Sequence, residues 1–236
     1  MPLREFSVIG IPPQIKAVFF DVVGTVLFPT PPALTVYAEV ARRGGLNLDE
    51  KEIRTNFIAA YKAEEIADRS AGWIASEERE KNRWRSIVAA CLHGVSNFEF
   101  CFRQLFDYFA KPGSWSLNKE FARITTELKG RGIVVGLGSN YDSRLWPVID
   151  GFPELSLLRE RTVISSLVGF RKPAAEFFQK LIGMAACNPR EVLFVGDDLE
   201  NDYRGAIEAG LEARLLDPSN RHDVPDRIHR LMELIV

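Results

Sequence analysis

The chain has 236 residues, of which 46% are hydrophobic and 26% are charged, and its formal net charge is −2. This composition is typical of a folded globular protein, and the near-neutral charge argues against nucleic-acid binding, which requires a basic surface. No apolar run approaches the ~20 residues that span a bilayer, so we expect no membrane association. Three cysteines without paired spacing and an N-terminus without an apolar signal region favour a cytoplasmic location.

Hydrophobic periodicity divides the chain into two unlike regions. The apolar run 15–20 predicts a buried strand that ends at Asp21. Residues 33–109 contain no convincing strand. A helix is predicted at Ala33–Arg43, and Asp49 is placed to cap the next one. We therefore expect four or five helices in this region.

Strands and helices alternate in the rest of the chain. The predicted strands cover residues 133–137, 162–165, 192–195 and 213–216. The predicted helices cover residues 117–129, 173–184, 201–209 and 223–235. Such alternation predicts an α/β fold with a doubly wound, Rossmann-like parallel sheet. We assign residues 1–30 and 113–236 to this core domain, and residues 31–112 to an inserted all-helical domain.

Polar clusters follow the predicted strands, at the edge where such a sheet binds its ligands. Asp21 ends the first strand, where a carboxylate can act as a nucleophile or a metal ligand. Gly24 permits a tight turn beside it. Ser139 and Asn140 follow the second strand, and a hydroxyl with free loop amides suits anionic oxygens.

Two further clusters carry charge. Lys172 precedes Pro173, which we expect at the first position of a helix, so that the ammonium group projects into the site. The next loop holds Asp197, Asp198 and Asp202, whose carboxylates repel one another unless a cation or a basic group neutralises them. Oxygen ligands alone favour Mg²⁺ over a transition metal.

At these positions the sequence resembles the haloacid dehalogenase superfamily, over nearly the whole chain. The matches to its four motifs are, in order, Asp21 with Gly24 and Thr25, then Ser139, then Lys172 with Pro173, and last Gly196, Asp197 and Asp198 with Asp202. The helical insertion is similar to the cap domain of one subfamily. The stretch 139–145 resembles the branch related to the rhythmically expressed gene 2 product.

This resemblance implies a Mg²⁺-dependent phosphohydrolase of small phosphorylated metabolites that forms an aspartyl-phosphate on Asp21. The implied metal ligands are Asp21, the carbonyl of Val23, Asp197, and Asp198 or Asp202. The implied catalytic and substrate-binding residues are Asp21, Thr25, Ser139, Asn140 and Lys172.

Val23 departs from the pattern of the family's phosphatases, which usually carry a general acid two residues after the nucleophile. General acid catalysis contributes ~10²–10⁴-fold, so we expect slow or restricted turnover of alkyl phosphates. Two alternatives remain open: a 2-haloacid dehalogenase, whose leaving halide needs no proton, and a catalytically impaired phosphate-binding protein of the same fold. Aromatic residues of the helical region such as Trp84 are interpreted as core, and the sequence indicates no oligomeric state.

Overall fold

The computed structural model describes residues 10–235, and a six-stranded parallel sheet forms its centre. The strands are β1 (Ala17–Phe20), β2 (Leu27–Pro29), β3 (Trp115–Leu117), β4 (Val134–Ser139), β5 (Thr162–Ile164), β6 (Val192–Gly196), β7 (Glu212–Leu216) and β8 (Arg227–Ile228). The sheet has the order β5-β4-β1-β6-β7-β8. The chain winds outward from β1 in both directions, which confirms the predicted doubly wound α/β fold.

Helices cover both faces of this sheet and make up the inserted region. The α-helices of the described residues are α1 (Ala33–Arg43), α2 (Glu50–Ser70), α3 (Glu77–Cys91), α4 (Phe98–Tyr108), α5 (Phe121–Gly130), α6 (Leu145–Asp150), α7 (Pro153–Ser156), α8 (Ser165–Val168), α9 (Ala175–Ala185) and α10 (Gly205–Glu208). None of the helices between residues 10 and 235 has both the length and the apolar character needed to cross a membrane.

Alternate residues of each strand face opposite sides of the sheet, as the period of two in an extended chain requires. On one side, Val18 and Phe20 of β1 pack against α5, where the rings of Phe20 and Phe121 meet edge to face at 5.4 Å. On the other side, Phe19 packs with α9 residues such as Phe178. Burial of both faces explains why these strands are nearly continuous apolar runs in the sequence.

Helices α1 to α4 pack around a hydrophobic core of their own, which includes Tyr37, Ile53 and Phe102. As predicted, Asp49 caps α2: its carboxylate accepts a hydrogen bond from the Glu52 N–H at 2.7 Å. We call residues 33–109 the helical unit. It contains four α-helices and no strand, in agreement with the sequence prediction.

The two connections of the helical unit run side by side. Strand β2 leaves the sheet region and β3 returns to it, and the two pair antiparallel with Pro29 opposite Trp115. The sequence did not predict this pair of strands: residues Trp115–Leu117 form a strand, and its last residue, Leu117, was predicted to begin a helix. Helix α5 consequently begins at Phe121 instead of residue 117.

The helix predicted over residues 223–235 is wrong. Arg227–Ile228 instead forms the last strand of the sheet, where the Asp217 N–H donates to the Ile228 carbonyl at 2.8 Å. Pro225 disfavours a helical backbone at Val224, the residue before it, so a helix that begins at residue 223 is unfavourable. A 3-10 turn at Leu231–Ile235 follows.

Near the site, two other helices have different bounds from those predicted. Residues Leu199–Arg204 form a π-helical turn before α10, where the sequence predicted one helix over 201–209. Helix α9 begins at Ala175 instead of Pro173, and the Lys172–Pro173 peptide bond is cis. The prediction that Pro173 occupies the first helical position is therefore wrong.

Candidate active site

The carboxyl ends of β1, β4 and β6 form one edge of the sheet, and the residues singled out in the sequence lie along it. The last residue of β1, Phe20, pairs in register with both neighbouring strands. Asp21, Ser139 and Asp197 therefore lie at neighbouring points of the edge, where the doubly wound sheet reverses its strand order. Ligands bind at this point in open α/β sheets.

Lys172 lies at the centre of this edge and is 2% exposed. Its Nζ donates hydrogen bonds to Asp21 Oδ1 and Asp202 Oδ1, each at 2.6 Å, and to the Gly138 carbonyl at 3.2 Å. The Asn140 side chain holds the main chain of Lys172, since Oδ1 accepts from the lysine N–H at 2.8 Å and Nδ2 donates to its carbonyl at 3.0 Å. Asn140 thus positions the lysine between the two carboxylates.

Three aspartates form an acidic cluster around this lysine. One carboxylate oxygen each of Asp21, Asp197 and Asp202 lies within 4.8 Å of the others. Gly24 permits this approach: its φ is +100°, and a Cβ atom there would lie 2.6 Å from the Asp197 carboxylate. Thr25 supports the cluster, because its Oγ1 donates to Asp197 Oδ1 at 3.4 Å.

Asp198 and Asp202, the two candidates for completing a metal shell, have different positions. Asp202 belongs to the acidic cluster. Asp198 Oδ1 accepts from the N–H groups of Glu200 and Asn201 at 2.9 Å each, so this carboxylate caps the following π-helical turn. Asp202 is therefore placed with the other carboxylates of the acidic cluster, whereas Asp198 serves as a helix cap.

Ser139 and Val23 complete the residues singled out in the sequence. Ser139 is buried at the end of β4, directly after the glycine carbonyl that Lys172 binds. Val23 lies in the loop after Asp21, and its side chain lines an apolar cavity between the sheet and the helical unit. Position 23 therefore offers no proton to a leaving group.

Burial dominates the electrostatics of the acidic cluster. It raises the pKa of Asp21 to about 6, although Lys172 opposes the shift. It raises the pKa of Asp197 to about 7, and the charges of Asp202 and Asp198 add to the effect. The pKa of Asp202 rises to about 7, again through burial and against Lys172. Burial would lower the pKa of Lys172, but Asp202 and Asp21 hold it above its usual value.

The acidic cluster fits a divalent cation with oxygen ligands. When all three carboxyl groups are ionised, the Lys172 ammonium leaves two negative charges uncompensated. Asp21 Oδ2 is buried and has no hydrogen-bond partner within the described part of the chain, which is costly unless a ligand fills the position. Carboxylate donors favour Mg²⁺ over softer metals. The residues present therefore suit Mg²⁺.

A buried ion network joins the loop before Lys172 to the helical unit. Arg171 donates to Asp68 Oδ2 and, at 3.0 Å, to Glu65 Oε1. Arg83 donates to the same two oxygens, at 3.0 and 2.6 Å. We call Arg171, Asp68, Glu65 and Arg83 the ionic junction. Sequence analysis missed it because Asp68 and Arg171 lie 103 residues apart and no local pattern links them.

Further hydrogen bonds join the helical unit to the segments that follow β4 and β5. The Arg171 N–H donates to the Trp73 carbonyl at 3.0 Å. The Glu77 carboxylate accepts from the Ser143 N–H at 2.9 Å and from the Ser166 hydroxyl at 2.5 Å. The helical unit is therefore held on the sheet next to the lysine.

Comparison with known proteins gives relatives along nearly the whole chain. The chain is 26% identical to haloacid dehalogenase-like hydrolase domain-containing protein 3 of Bos taurus, over 90% of this chain and 88% of that protein. It is 27% identical to ribulose-1,5-bisphosphate 5-phosphatase of Halopiger xanaduensis, over 91% and 90%. The solved structure of the HAD hydrolase YfnB from Bacillus subtilis, bound to magnesium, has the same fold, with a TM-score of 0.73 at 16% identity over 93% of this chain and 96% of that one.

The similarity to the bovine protein supports the resemblance of the stretch 139–145 to the branch related to the rhythmically expressed gene 2 product. The sequence model described as haloacid dehalogenase-like hydrolase matches residues 15–210, which include every site residue described above. The chain belongs to the haloacid dehalogenase-like hydrolase family.

Proposed function

We propose that the chain is a Mg²⁺-dependent phosphohydrolase that acts on small phosphorylated metabolites through an aspartyl-phosphate on Asp21. One observation carries this function: a buried Asp21 carboxylate has one oxygen bound by Lys172 and the other without a partner in residues 10–235. A carboxylate held in this way has a free oxygen for attack on phosphorus or for a cation. The relative named as a phosphatase supports phosphate-ester hydrolysis.

In the proposed reaction an Asp21 carboxylate oxygen attacks phosphorus, and the bond from phosphorus to the ester oxygen breaks. Water then attacks the aspartyl-phosphate, which releases inorganic phosphate and restores the carboxylate. Lys172 would stabilise negative charge on the nucleophile and on the transferred group, the main demand that phosphoryl transfer makes of a protein. The Ser139 hydroxyl and the backbone N–H of Asn140 would bind phosphoryl oxygens.

Mg²⁺ would be held by the Asp21 and Asp197 carboxylates and the Val23 carbonyl, and it would neutralise charge on the phosphoryl group. Asp202, which lies in the acidic cluster, is favoured over Asp198 as the residue that completes the shell, directly or through water. Thr25 would keep Asp197 in place through its hydroxyl.

Residues 31–112 would act as a cap over the site, with 1–30 and 113–236 as the core domain. The junctions at residues 29–31 and 111–114 are the proposed hinges, because the paired β2 and β3 lie between the two parts. Closure of such a cap would exclude water while Asp21 attacks.

A second candidate, 2-haloacid dehalogenation, is favoured by Val23 alone, since a halide leaves without a proton. The acidic cluster opposes it, because two uncompensated charges in a buried site call for a cation that dehalogenation does not use. Release of chloride from 2-chloropropionate in the presence of a chelator would establish this alternative.

The test of the phosphohydrolase is turnover of 4-nitrophenyl phosphate with Mg²⁺ and with a chelator. We expect metal-dependent release of 4-nitrophenol and its loss in Asp21→Asn, with the fold retained by circular dichroism. Asp223→Asn, the same change at an exposed position, is the matched control and should keep full activity.

Acid-quenched protein from the same reaction should carry a phosphoryl group that Asp21→Asn lacks. Turnover that survives in Asp21→Asn, or that is equal with and without chelator, would contradict the proposal.

A further inference from the structure

We propose that the apolar cavity beside Val23 binds the leaving group of the substrate, so that phosphate monoesters of small phenols are the substrate class of this site. This role rests on the proposed phosphohydrolase function and names the part of the substrate that lies beyond the phosphoryl group.

The cavity adjoins both loops that carry the phosphoryl-transfer residues. Val23 lies two residues after Asp21, Tyr141 lies two residues after Ser139, and both side chains line the cavity. Aromatic residues of the helical unit, among them Trp84, form the facing wall. A substrate with its phosphoryl group at Asp21 can therefore place its leaving group past Val23, in the cavity.

The walls of the cavity are apolar almost throughout, and its arginine is already neutralised. Nε and Nη2 of Arg144 donate to the Asp142 carboxylate at 2.8 Å each, and Nη1 donates to the Phe106 carbonyl at 2.9 Å. The guanidinium carbon lies 3.4 Å from the centre of the Phe106 ring. The charge of Arg144 is therefore already paired with Asp142, and its guanidinium group is stacked on a ring. It offers little to a carboxylate, so the cavity favours an apolar ring.

Two tyrosine hydroxyls at the cavity add no charge. The Tyr141 hydroxyl donates to the Phe109 carbonyl at 3.1 Å. Burial raises the pKa of Tyr37 far above its usual value, so this hydroxyl stays protonated.

The size of the cavity limits the leaving group to about one ring. Its volume is about 150 Å³, and an apolar cavity of ~150 Å³ in another protein holds a single benzene molecule. A phenyl group with one small substituent matches this space, whereas a bicyclic group exceeds it.

The absence of a general acid at position 23 agrees with this substrate class. As the Asp21 oxygen bonds to phosphorus, the bond to the ester oxygen breaks and its electron pair stays on that oxygen. A phenolate carries this charge by delocalisation and takes its proton from water after release. An alkoxide needs the proton during bond breaking. The same side chain, Val23, thus makes the wall apolar and selects leaving groups that need no acid.

The test compares 4-methylphenyl phosphate with 4-carboxyphenyl phosphate. Their phenols have similar acidity, but the para substituent is an apolar methyl group in one and an ionised carboxylate in the other. Acetyl phosphate, a small substrate with a good leaving group, is the reference. We expect kcat/KM for the methylphenyl ester to exceed that for the carboxyphenyl ester by about tenfold or more, because an ionised carboxylate has no partner in the cavity. This comparison uses the unmodified protein with Mg²⁺.

A cavity-filling variant provides the second measurement. Ala33 lines the cavity at the start of α1, and Ala33→Leu should lower the ratio of methylphenyl phosphate to acetyl phosphate turnover by about tenfold. Ala59→Leu makes the same change on an exposed face of α2 and should leave this ratio unchanged.

The outcomes separate the two proposals. If acetyl phosphate is hydrolysed but the two aryl esters react at equal rates, or the carboxyphenyl ester reacts faster, the proposed role of the cavity is wrong. The proposed phosphohydrolase function would then still stand. No hydrolysis of any of the three compounds would overturn both. A preference for the methylphenyl ester that Ala33→Leu removes and Ala59→Leu keeps would establish the cavity as the leaving-group site.

Discussion

The helical unit meets the sheet in two different ways near Asp21. Beside Val23 it leaves an apolar cavity, whose aromatic walls set only a size and a polarity. Beside Lys172 it forms the ionic junction, where buried charges accept few geometries because each needs its partners. We therefore propose a division of labour: in this arrangement the ionic junction holds the helical unit against the lysine loop, and the cavity would select the substrate.

Removal of Lys172 should have the largest effect, because this side chain serves the chemistry whichever substrate the cavity holds. In Lys172→Ala we expect kcat to fall by at least ~10²–10³-fold, as for loss of a charge-stabilising donor. Steady-state turnover of an aryl phosphate measures it. Lys180→Ala, an exposed lysine on α9, is the matched control. A decrease of less than tenfold would contradict the role of Lys172.

Val23→Asp tests the cavity side of the comparison. A carboxyl group at the apolar wall should stay protonated, because burial raises the pKa of such a group, and it should supply the missing acid. We expect turnover of alkyl phosphates to rise by ~10–10²-fold and that of aryl phosphates to rise less. Val23→Asn adds polarity without the acid and is the control. An equal gain on both substrate types would show that the proton comes from elsewhere.

Arg171→Gln tests the junction side. It leaves the buried Asp68 and the half-buried Glu65 with less compensation, so the free energy of unfolding should fall by about 3 kcal/mol, as for a broken buried ion pair. Urea unfolding measures this change. Arg43→Gln removes an exposed pair with Glu39 and should have little effect. If Arg171→Gln altered the preference between the two aryl esters without a loss of stability, the division of labour would be wrong.

The smallest effect is expected from metal and pH. The raised pKa values of the acidic cluster mean that the metal-free folded protein holds more protons than the unfolded chain between about pH 4 and 7. Without metal, these groups therefore make the protein less stable as pH rises through this range. Mg²⁺ competes with the protons, so it should raise the melting temperature by about 2–4 °C at pH 8 and by less at pH 5.5. An equal shift at both pH values would argue against binding at the acidic cluster.

Local sequence patterns predicted the parts of the fold that depend on local chemistry. Buried parallel strands need continuous apolar runs, so the central strands were found with small errors at their ends. Asp49 was recognised as a helix cap because a cap bonds to residues only two or three positions away. The predicted helix at 223–235 failed because pairing with β7 outweighed its helical pattern and because Pro225 disfavours a helical backbone at the residue before it.

The positions of the candidate site residues were predictable where each residue ends a strand, as Ser139 does, or directly follows one, as Asp21 and Asp197 do. They were not predictable where contacts join distant segments. Asp198 and Asp202 look alike in the sequence, and only the π-helical turn separates their positions. Trp84 was interpreted as core, since the space beside it arises from elements far apart in the chain.

The antiparallel pair of β2 and β3 has a consequence for how the chain assembles. Phe20 must find Leu137 across the entire helical unit before the sheet can form, and closing so long a loop costs chain entropy. Once the helical unit has folded and Pro29 lies beside Trp115, that loop is reduced to two short segments. We therefore expect the helical unit to fold first and to act as a bridge that brings the two halves of the sheet within reach of each other.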